Sequence, residues 1–384
     1  MIVFVQPFGL KSPGGGGRIL RALLADAPLP WLSVVTGLEA PPPLERDTWA
    51  GTGQGEEIHL PVRPHLGRIE RTRFSRYLYP FERLFAPGFL RRLEAVCRER
   101  NATGIHGITH FIDYWHSFRV AQALNIPYYL SVHDDLKYAL HGRPEYREGM
   151  ANLPTVWNTA KSRFVISQEM GQEYSERYGT RSYVQVTDGL TAVPAVPLPR
   201  DRNRLRIYFM GLFHRGYSDN LRALLNGLAI LHRRHPDWEI SVTCRCGAVP
   251  PEALTPNFAV TQLPFGSEAD VARDMEQADL LYMPLPFGTK YESFVRFSLS
   301  TKMISYLGSG LPIFYHGPAD AAAGGLLARH GAAVLADTLD PELLADTLCH
   351  TAETRHALVE RALALAKEQF LLTTQRERFW DGLS

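Results

Sequence analysis

Short apolar runs alternate with helically periodic stretches along nearly the whole chain. In the amino-terminal half the runs fall at Ile2 to Gln6, Trp31 to Thr36, Gly104 to His110, Tyr128 to Val132, Phe164 to Ser167 and Tyr183 to Val186. Between them, Arg18 to Ala25, Phe89 to Arg100, His116 to Leu124 and Glu169 to Tyr178 carry apolar residues at helical spacing. Strand followed by helix, repeated, predicts a parallel sheet. The stretch from Ala40 to Gly55, rich in proline and glycine, reads as a surface loop.

Three prolines within Val193 to Arg200 interrupt regular pairing and predict a stiff connector between two domains. The alternation then restarts with strands at Arg206 to Met210, Glu239 to Thr243, Ala259 to Leu263, Leu280 to Pro284 and Pro312 to Tyr315. Helices are predicted from about Asn220 to Arg234, after Ser267 with Asp270 three residues on, and after Ser300. Two closing helices, roughly Pro341 to Thr351 and Glu353 to Phe370, precede a polar-aromatic tail. The predicted fold class is α/β, with two doubly wound domains.

Length and composition agree with this. A chain of 384 residues is too long for one ordinary core, and 45% apolar with 21% charged residues is ordinary for a globular protein. No apolar run is long enough to cross a bilayer, and the first residues lack a secretion signal, so a cytoplasmic location is expected. The four scattered cysteines match no common zinc spacing, which predicts reduced thiols and no metal. With 41 basic and 40 acidic residues, nothing global suggests nucleic acid. Between Pro61 and Arg100, however, ten arginines and four glutamates interleave with six aromatics. This region reads either as solvated helix faces or as a surface for an anionic partner such as lipid headgroups, giving peripheral membrane contact.

The densest chemical signal is ESFVRFSLSTKMISYLGSGLPIFYHG, residues 292–317, where a hydroxyl-rich turn opens a helix and Gly-Ser-Gly leads into a buried strand. First-turn amides lack an intrahelical partner and sit at the positive end of the helix dipole, so phosphate oxygens settle against them. Ser298, Ser300, Thr301 and Lys302 would assist; an N-cap on a core helix is the alternative. Nearer the amino terminus, Gly14, Gly15, Gly16 and Gly17 follow the first strand and form either a ligand-approach loop or a plain flexible turn. Ile19 stands where a dinucleotide fingerprint wants its third glycine, and no P-loop ending follows.

His110, Asp113, Trp115 and His116 follow one apolar strand, and His133, Asp134 and Asp135 end the next, on the edge where open α/β sheets bind ligands. His110, His133 and Asp134 are the catalytic candidates: an imidazole trades protons near neutral pH, and a carboxylate beside it fixes its tautomer or binds sugar hydroxyls. A structural role for each histidine is equally open. In the second half Gly211 lets a ligand approach, and Arg215 has the forked donors to hold a diphosphate, with Lys302 as a second cation. A surface salt bridge is the alternative for Arg215.

With these residues placed, the chain resembles a glycosyltransferase of the GT-B architecture, most of all the large retaining family that includes sucrose and mannosyl transferases. The resemblance rests on the glycines at 14 to 17, THFIDYWHSFRVAQALNIPYYLSVHDD, VISQEMGQEYSERYG with VTDGL, IYFMGLF and SLSTKMISYLGSGLPIFYHG. It implies two Rossmann-like domains facing across a cleft: residues 1–195 for the acceptor, 196–365 for a nucleotide sugar, and 366–384 crossing back to the first. It further implies sugar transfer from a nucleotide diphosphate sugar to a glycan, lipid-linked or small acceptor, with retention and without metal or other cofactor. Gly15, Gly16, Gly211, Arg215, Glu292, Ser300, Thr301, Lys302 and Ser305 would meet the donor. The family commonly carries two glutamates where this chain has Phe297 and Ser305; Glu292 substitutes only if the loop is rearranged, and a serine hydroxyl bonds a ribose without a carboxylate's charge assistance. A nucleotide-sugar epimerase, or a sugar-binding or assembly protein that has lost these glutamates, are the competing readings.

Overall fold

A computed structural model describes residues 1–12, 14–42, 55–64, 79–142, 145–197, 203–213, 215–247 and 257–384. The chain forms two compact units, residues 1–189 with 372–384, and residues 190–371.

The first unit holds a seven-stranded parallel sheet: β1 (Ile2–Gln6), β2 (Trp31–Val35), β3 (Gly55–His59), β4 (Gly104–Ile108), β5 (Tyr128–Val132), β6 (Ser162–Val165) and β7 (Val184–Gln185). Their order is β3-β2-β1-β4-β5-β6-β7. Every residue of β1, β2, β4 and β5 is buried, because helices cover both faces of a parallel sheet; the apolar runs therefore show no alternation. Strand β3, GEEIH, lies inside no predicted element: it is an edge strand, and its polar composition hides it beside the loop predicted to end at Gly55.

Six helices of this unit are α1 (Gly15–Leu24), α2 (Tyr79–Glu99), α3 (Asp113–Leu124), α4 (Leu136–Ala139), α5 (Tyr146–Thr159) and α6 (Gln168–Tyr178). Helix α1 buries Ile19, Leu20, Leu23 and Leu24 on one face. Helix α6 starts where Ser167 Oγ accepts the Met170 N–H and stops at Gly179, φ 122°. Helix α2 starts ten residues before the predicted Phe89, with Pro87 inside it. The basic aromatic stretch is only partly visible, since residues 65–78 lie outside the described ones. Within its visible part Leu84 is 73% exposed, while Arg83 pairs with Glu148 and Arg100 with Glu56.

The second unit repeats the plan with β8 (Arg204–Met210), β9 (Glu239–Arg245), β10 (Ala259–Leu263), β11 (Leu280–Pro284), β12 (Ile313–His316) and β13 (Val334–Ala336), ordered β10-β9-β8-β11-β12-β13 and all parallel. Its helices are α7 (Ser218–Arg234), α8 (Glu268–Gln277), α9 (Glu292–Val295), α10 (Thr301–Leu307), α11 (Ala322–His330) and α12 (Pro341–Gln369). The capping box expected at Ser267 and Asp270 opens α8. Helix α12 is a single 29-residue element where two were predicted: residues 351–353 contain neither glycine nor proline, so nothing stops the helix. In both sheets the strand order reverses beside the first strand, between β1 and β4 and between β8 and β11, which is where such sheets open a crevice at their carboxyl edge.

The last helix, α13 (Leu372–Gly382), belongs to the first unit. Phe379 packs 4.9 Å from the Phe164 ring and 5.5 Å from the His106 ring, and Trp380 donates through Nε1 to Leu23 O at 3.0 Å. Tyr129 OH reaches Leu383 O at 2.8 Å. Burial in this aromatic nest pushes His106 down to about 3, so it stays neutral, bonded to Ser131 Oγ. Among the described residues no helix is long and apolar enough to cross a membrane. Phe379→Ala should destabilise the first unit by about 3 to 5 kcal/mol through lost burial and an unfilled cavity; chemical denaturation measures this, and a loss below about 1 kcal/mol would contradict the packing role.

Candidate functional site

In the first unit the predicted trio meets at one sheet end. His110 follows β4, and His133 and Asp134 follow β5. His110 Nδ1 faces Asp134 Oδ2 at 3.7 Å, an ion-pair distance longer than a hydrogen bond. The His133 ring stands edge-on to His110 at 5.9 Å, and Phe8 does so from the other strand end at 5.3 Å. A Cβ on Gly16 would lie 2.6 Å from the Phe8 ring and 3.2 Å from His110 Nε2. The glycine loop and the histidine are thus in contact, with room for no side chain between them. Gly14, φ 127°, turns the chain into α1, and Gly15 is exposed at its first position.

Burial pushes His110 below its ordinary range, opposed by the Asp134 charge; Asp134 is raised, chiefly by burial and partly offset by His110. His133 falls well below its ordinary range through burial, deepened by His110 and His106. The group is therefore a neutral imidazole beside a carboxyl, able to accept or donate a proton at Nε2 or to position a hydroxyl. The neighbouring candidates do other work. Asp135 caps α4, accepting the Lys137 N–H at 3.3 Å, and also accepts from Tyr174 OH. Asp113 accepts from Thr36 Oγ1 at 2.8 Å. His116 packs 5.8 Å from Phe89, and burial lowers it to about 4. Sequence reasoning missed Asp188, whose buried carboxylate pairs with Arg18 Nε of α1 at 2.8 Å and which burial raises to about 6. Its one local signal was the VTDGL segment.

In the second unit Gly211 adopts φ 95° at the end of β8, and its N–H donates to Arg245 O of β9 at 3.0 Å. A Cβ there would lie 3.4 Å from Lys302 Cε, so Gly211 and Lys302, far apart in sequence, are neighbours. The Lys302 ammonium sits 3.9 Å from the Phe209 ring centroid and 5.5 Å from that of Tyr217. The buried thiols of Cys244 and Cys246 act on it electrostatically. Among the described residues no carboxylate pairs with it. Burial lowers Lys302 from the ordinary lysine range to about 7, only partly offset by the two thiols.

The turn before it carries the helix N-cap that stood beside the amide cradle as an alternative. Ser300 Oγ accepts the Lys302 N–H at 3.2 Å, and α10, opening at Thr301, is only seven residues long. The hydroxyl thus occupies one of the amides offered to phosphate, and among the described side chains the cation beside this turn is Lys302. Ser305 Oγ donates back to Thr301 O at 3.3 Å. Phe297 is 2% exposed within the core, and Glu292 is exposed at the start of α9. Arg215 opens a 3₁₀ turn, Arg215–Tyr217, that leads into α7; its side chain lies outside what is described. Phe209, Tyr217 and the cysteine pair were missed because no local pattern links them to Lys302. Among the described residues no group of three or more His, Cys, Asp or Glu side chains is placed to hold a metal ion.

No protein-family model matches the sequence, and no curated protein matches it. Solved structures do. A trehalose 6-phosphate synthase from Burkholderia multivorans aligns with a TM-score of 0.61 at 14% identity, covering 100% of this chain and 98% of that one. The trehalose-6-phosphate structure from E. coli bound with UDP-2-fluoro glucose gives 0.65 at 12% identity, over 99% and 98%. A UDP-N-acetylglucosamine 2-epimerase structure from Listeria monocytogenes gives 0.57 at 10% identity, over 100% and 95%. With two doubly wound parallel sheets matched along its whole length, the chain has the two-domain GT-B fold.

An anion that settles on the lowered Lys302 would be coupled to protons. Below about pH 7 the free side chain is already charged; above that, an anion that requires the ammonium must bring a proton with it. Inorganic pyrophosphate should therefore bind about 25-fold more weakly at pH 8.5 than at pH 6.5, with proton uptake visible in calorimetry across buffers of different ionisation enthalpy. Equal affinity without proton uptake would contradict a proton-lowered Lys302 as the anion's partner.

Proposed function

We propose that this protein transfers a sugar from a nucleotide diphosphate sugar to a hydroxyl acceptor, a glycan, a lipid-linked glycan or a small molecule. The observation that carries the reading is Lys302: a cation without a carboxylate partner among the described residues, beside Gly211 at the strand-order reversal of the second sheet. A leaving nucleoside diphosphate gains negative charge as its bond to the anomeric carbon breaks, and a fixed cation in a partly desolvated corner stabilises that charge. The bound UDP-2-fluoro glucose of the E. coli neighbour and the synthase from Burkholderia support the donor class.

His110 takes the positioning or proton-handling role in the first unit, steadied by Asp134 and His133. Retention of the anomeric configuration, front-side attack with the leaving phosphate taking the acceptor proton, and independence of a metal are parts of the proposal that come from the family resemblance. A second reading, epimerisation of the donor itself, draws on the Listeria neighbour and on the clustering of two histidines with a carboxylate. Incubation of UDP-N-acetylglucosamine alone, followed by product analysis, separates the two readings.

Calorimetry against UDP, GDP and dTDP tests the donor site. At least one should bind, and Lys302→Met should weaken it about tenfold or more; failure of all three at millimolar concentration would end the reading. His110→Ala should lower turnover of the accepted donor about a hundredfold while leaving nucleotide affinity within about threefold. Unchanged turnover would remove His110 from the site.

A further inference from the structure

One edge of the first sheet carries polar side chains where apolar ones would pack. Ser33 of β2 stands in register with Glu57 of β3, and Gln6 ends β1 fully buried. Gln6 Nε2 donates to Ser33 Oγ at 2.7 Å, and Ser33 Oγ donates to Glu57 Oε2 at 2.9 Å. The same carboxylate oxygen accepts the Leu10 N–H at 2.9 Å. Three polar groups are thus strung across three strands and end on one backbone amide of the loop after β1. Burying such groups is costly unless they are bonded, and an apolar trio would avoid that cost altogether. What the ladder adds is a fixed loop.

Leu10 lies in a turn closed by Gly9 N–H to Ser12 Oγ at 3.0 Å and Ser12 N–H to Gly9 O at 3.0 Å. A Cβ on Gly17 would lie 2.9 Å from Gly9 O and 3.0 Å from Ser12 O, so the first turn of α1 rests directly on this turn. Phe8, just before it, meets Gly16 and His110. A contiguous path therefore runs from Glu57 through Leu10 and the 9–12 turn to the glycines that face the histidine. A charge-assisted bond to a backbone N–H is the strongest link available at its start.

We propose that Glu57 is a positioning residue of the first unit's site: from the edge strand it holds the 9–12 turn, and through it the glycine loop, against His110. Its effect on turnover rests on the glycosyl-transfer reading; its effect on the loop does not.

The test uses the full chain with Glu57→Ala and Glu57→Gln. In the free protein, amide hydrogen exchange across residues 8–17 should speed up about tenfold or more in Glu57→Ala, while α12 in the second unit stays unchanged. With UDP-glucose as probe and water standing in for the acceptor, kcat for release of UDP and glucose should fall about tenfold with KM within about threefold. Glu57→Gln keeps an acceptor oxygen in place and should return both readouts to within about threefold of wild type. Unaltered exchange in Glu57→Ala, or Glu57→Gln as defective as Glu57→Ala, would overturn the proposal. If the alanine variant does not fold, Glu57→Leu fills the same space without an acceptor and repeats the test. Where the wild type does not consume UDP-glucose, the exchange measurement alone decides the role of Glu57; only failure to bind any of UDP, GDP and dTDP sinks the glycosyl-transfer reading.

Discussion

Helices on both faces of a parallel sheet leave its strands with no solvated side, and this constraint orders the rest of the molecule. Strands such as β1 and β5 are buried along their entire length, so nearly all chemistry is pushed off the faces and onto the ends. All strands of a sheet point the same way, so their loops gather at one edge. Where the strand order reverses, two such loops diverge and leave space between them. His110 and Gly16 occupy that place in the first unit, and Gly211 with Lys302 in the second.

The two places are electrically unlike. In the first, burial lowers His110 and His133 and raises Asp134, so the corner is polar and carries no fixed cation of its own among these three groups. In the second, the Lys302 ammonium sits over two aromatic rings and beside two thiols, its charge weakened but not cancelled by a carboxylate among the described residues. Such a corner suits an anion, whereas the first suits hydroxyls and shared protons. The same protein scaffold thus offers two environments that differ in what they desolvate well.

Most strands of both sheets were legible because continuous apolar runs such as IVFVQ and LLYMP are long enough for a buried strand and too short for a core helix, whereas the three-residue β13 was too short to register. The candidate histidines were legible from position alone, since each follows a run of that kind. Less legible were features made by contacts between distant segments. Lys302 stood out as a residue, but Phe209, Tyr217 and Cys246 come from three other elements, and no spacing relates them to it. The Ser300 turn shows the opposite case: its local pattern fitted both a phosphate cradle and a helix cap, and the hydroxyl does cap the Lys302 amide. Strand β3 was hidden because an edge strand with two glutamates does not carry the apolar signature, although one of those glutamates anchors the glycine loop.

The placement of α13 bears on how the chain is made. The second unit is one uninterrupted segment, while the first is split, with α13 encoded after the whole of the second unit. During synthesis from the amino end, the second unit can reach its native state as soon as it leaves the ribosome, but the first must wait with Phe4, Leu23 and Phe164 uncovered until Phe379 and Trp380 emerge. The amino-terminal unit is therefore the later of the two to complete its core, and a nascent chain halted before α13 would present that sticky apolar face to chaperones and proteases.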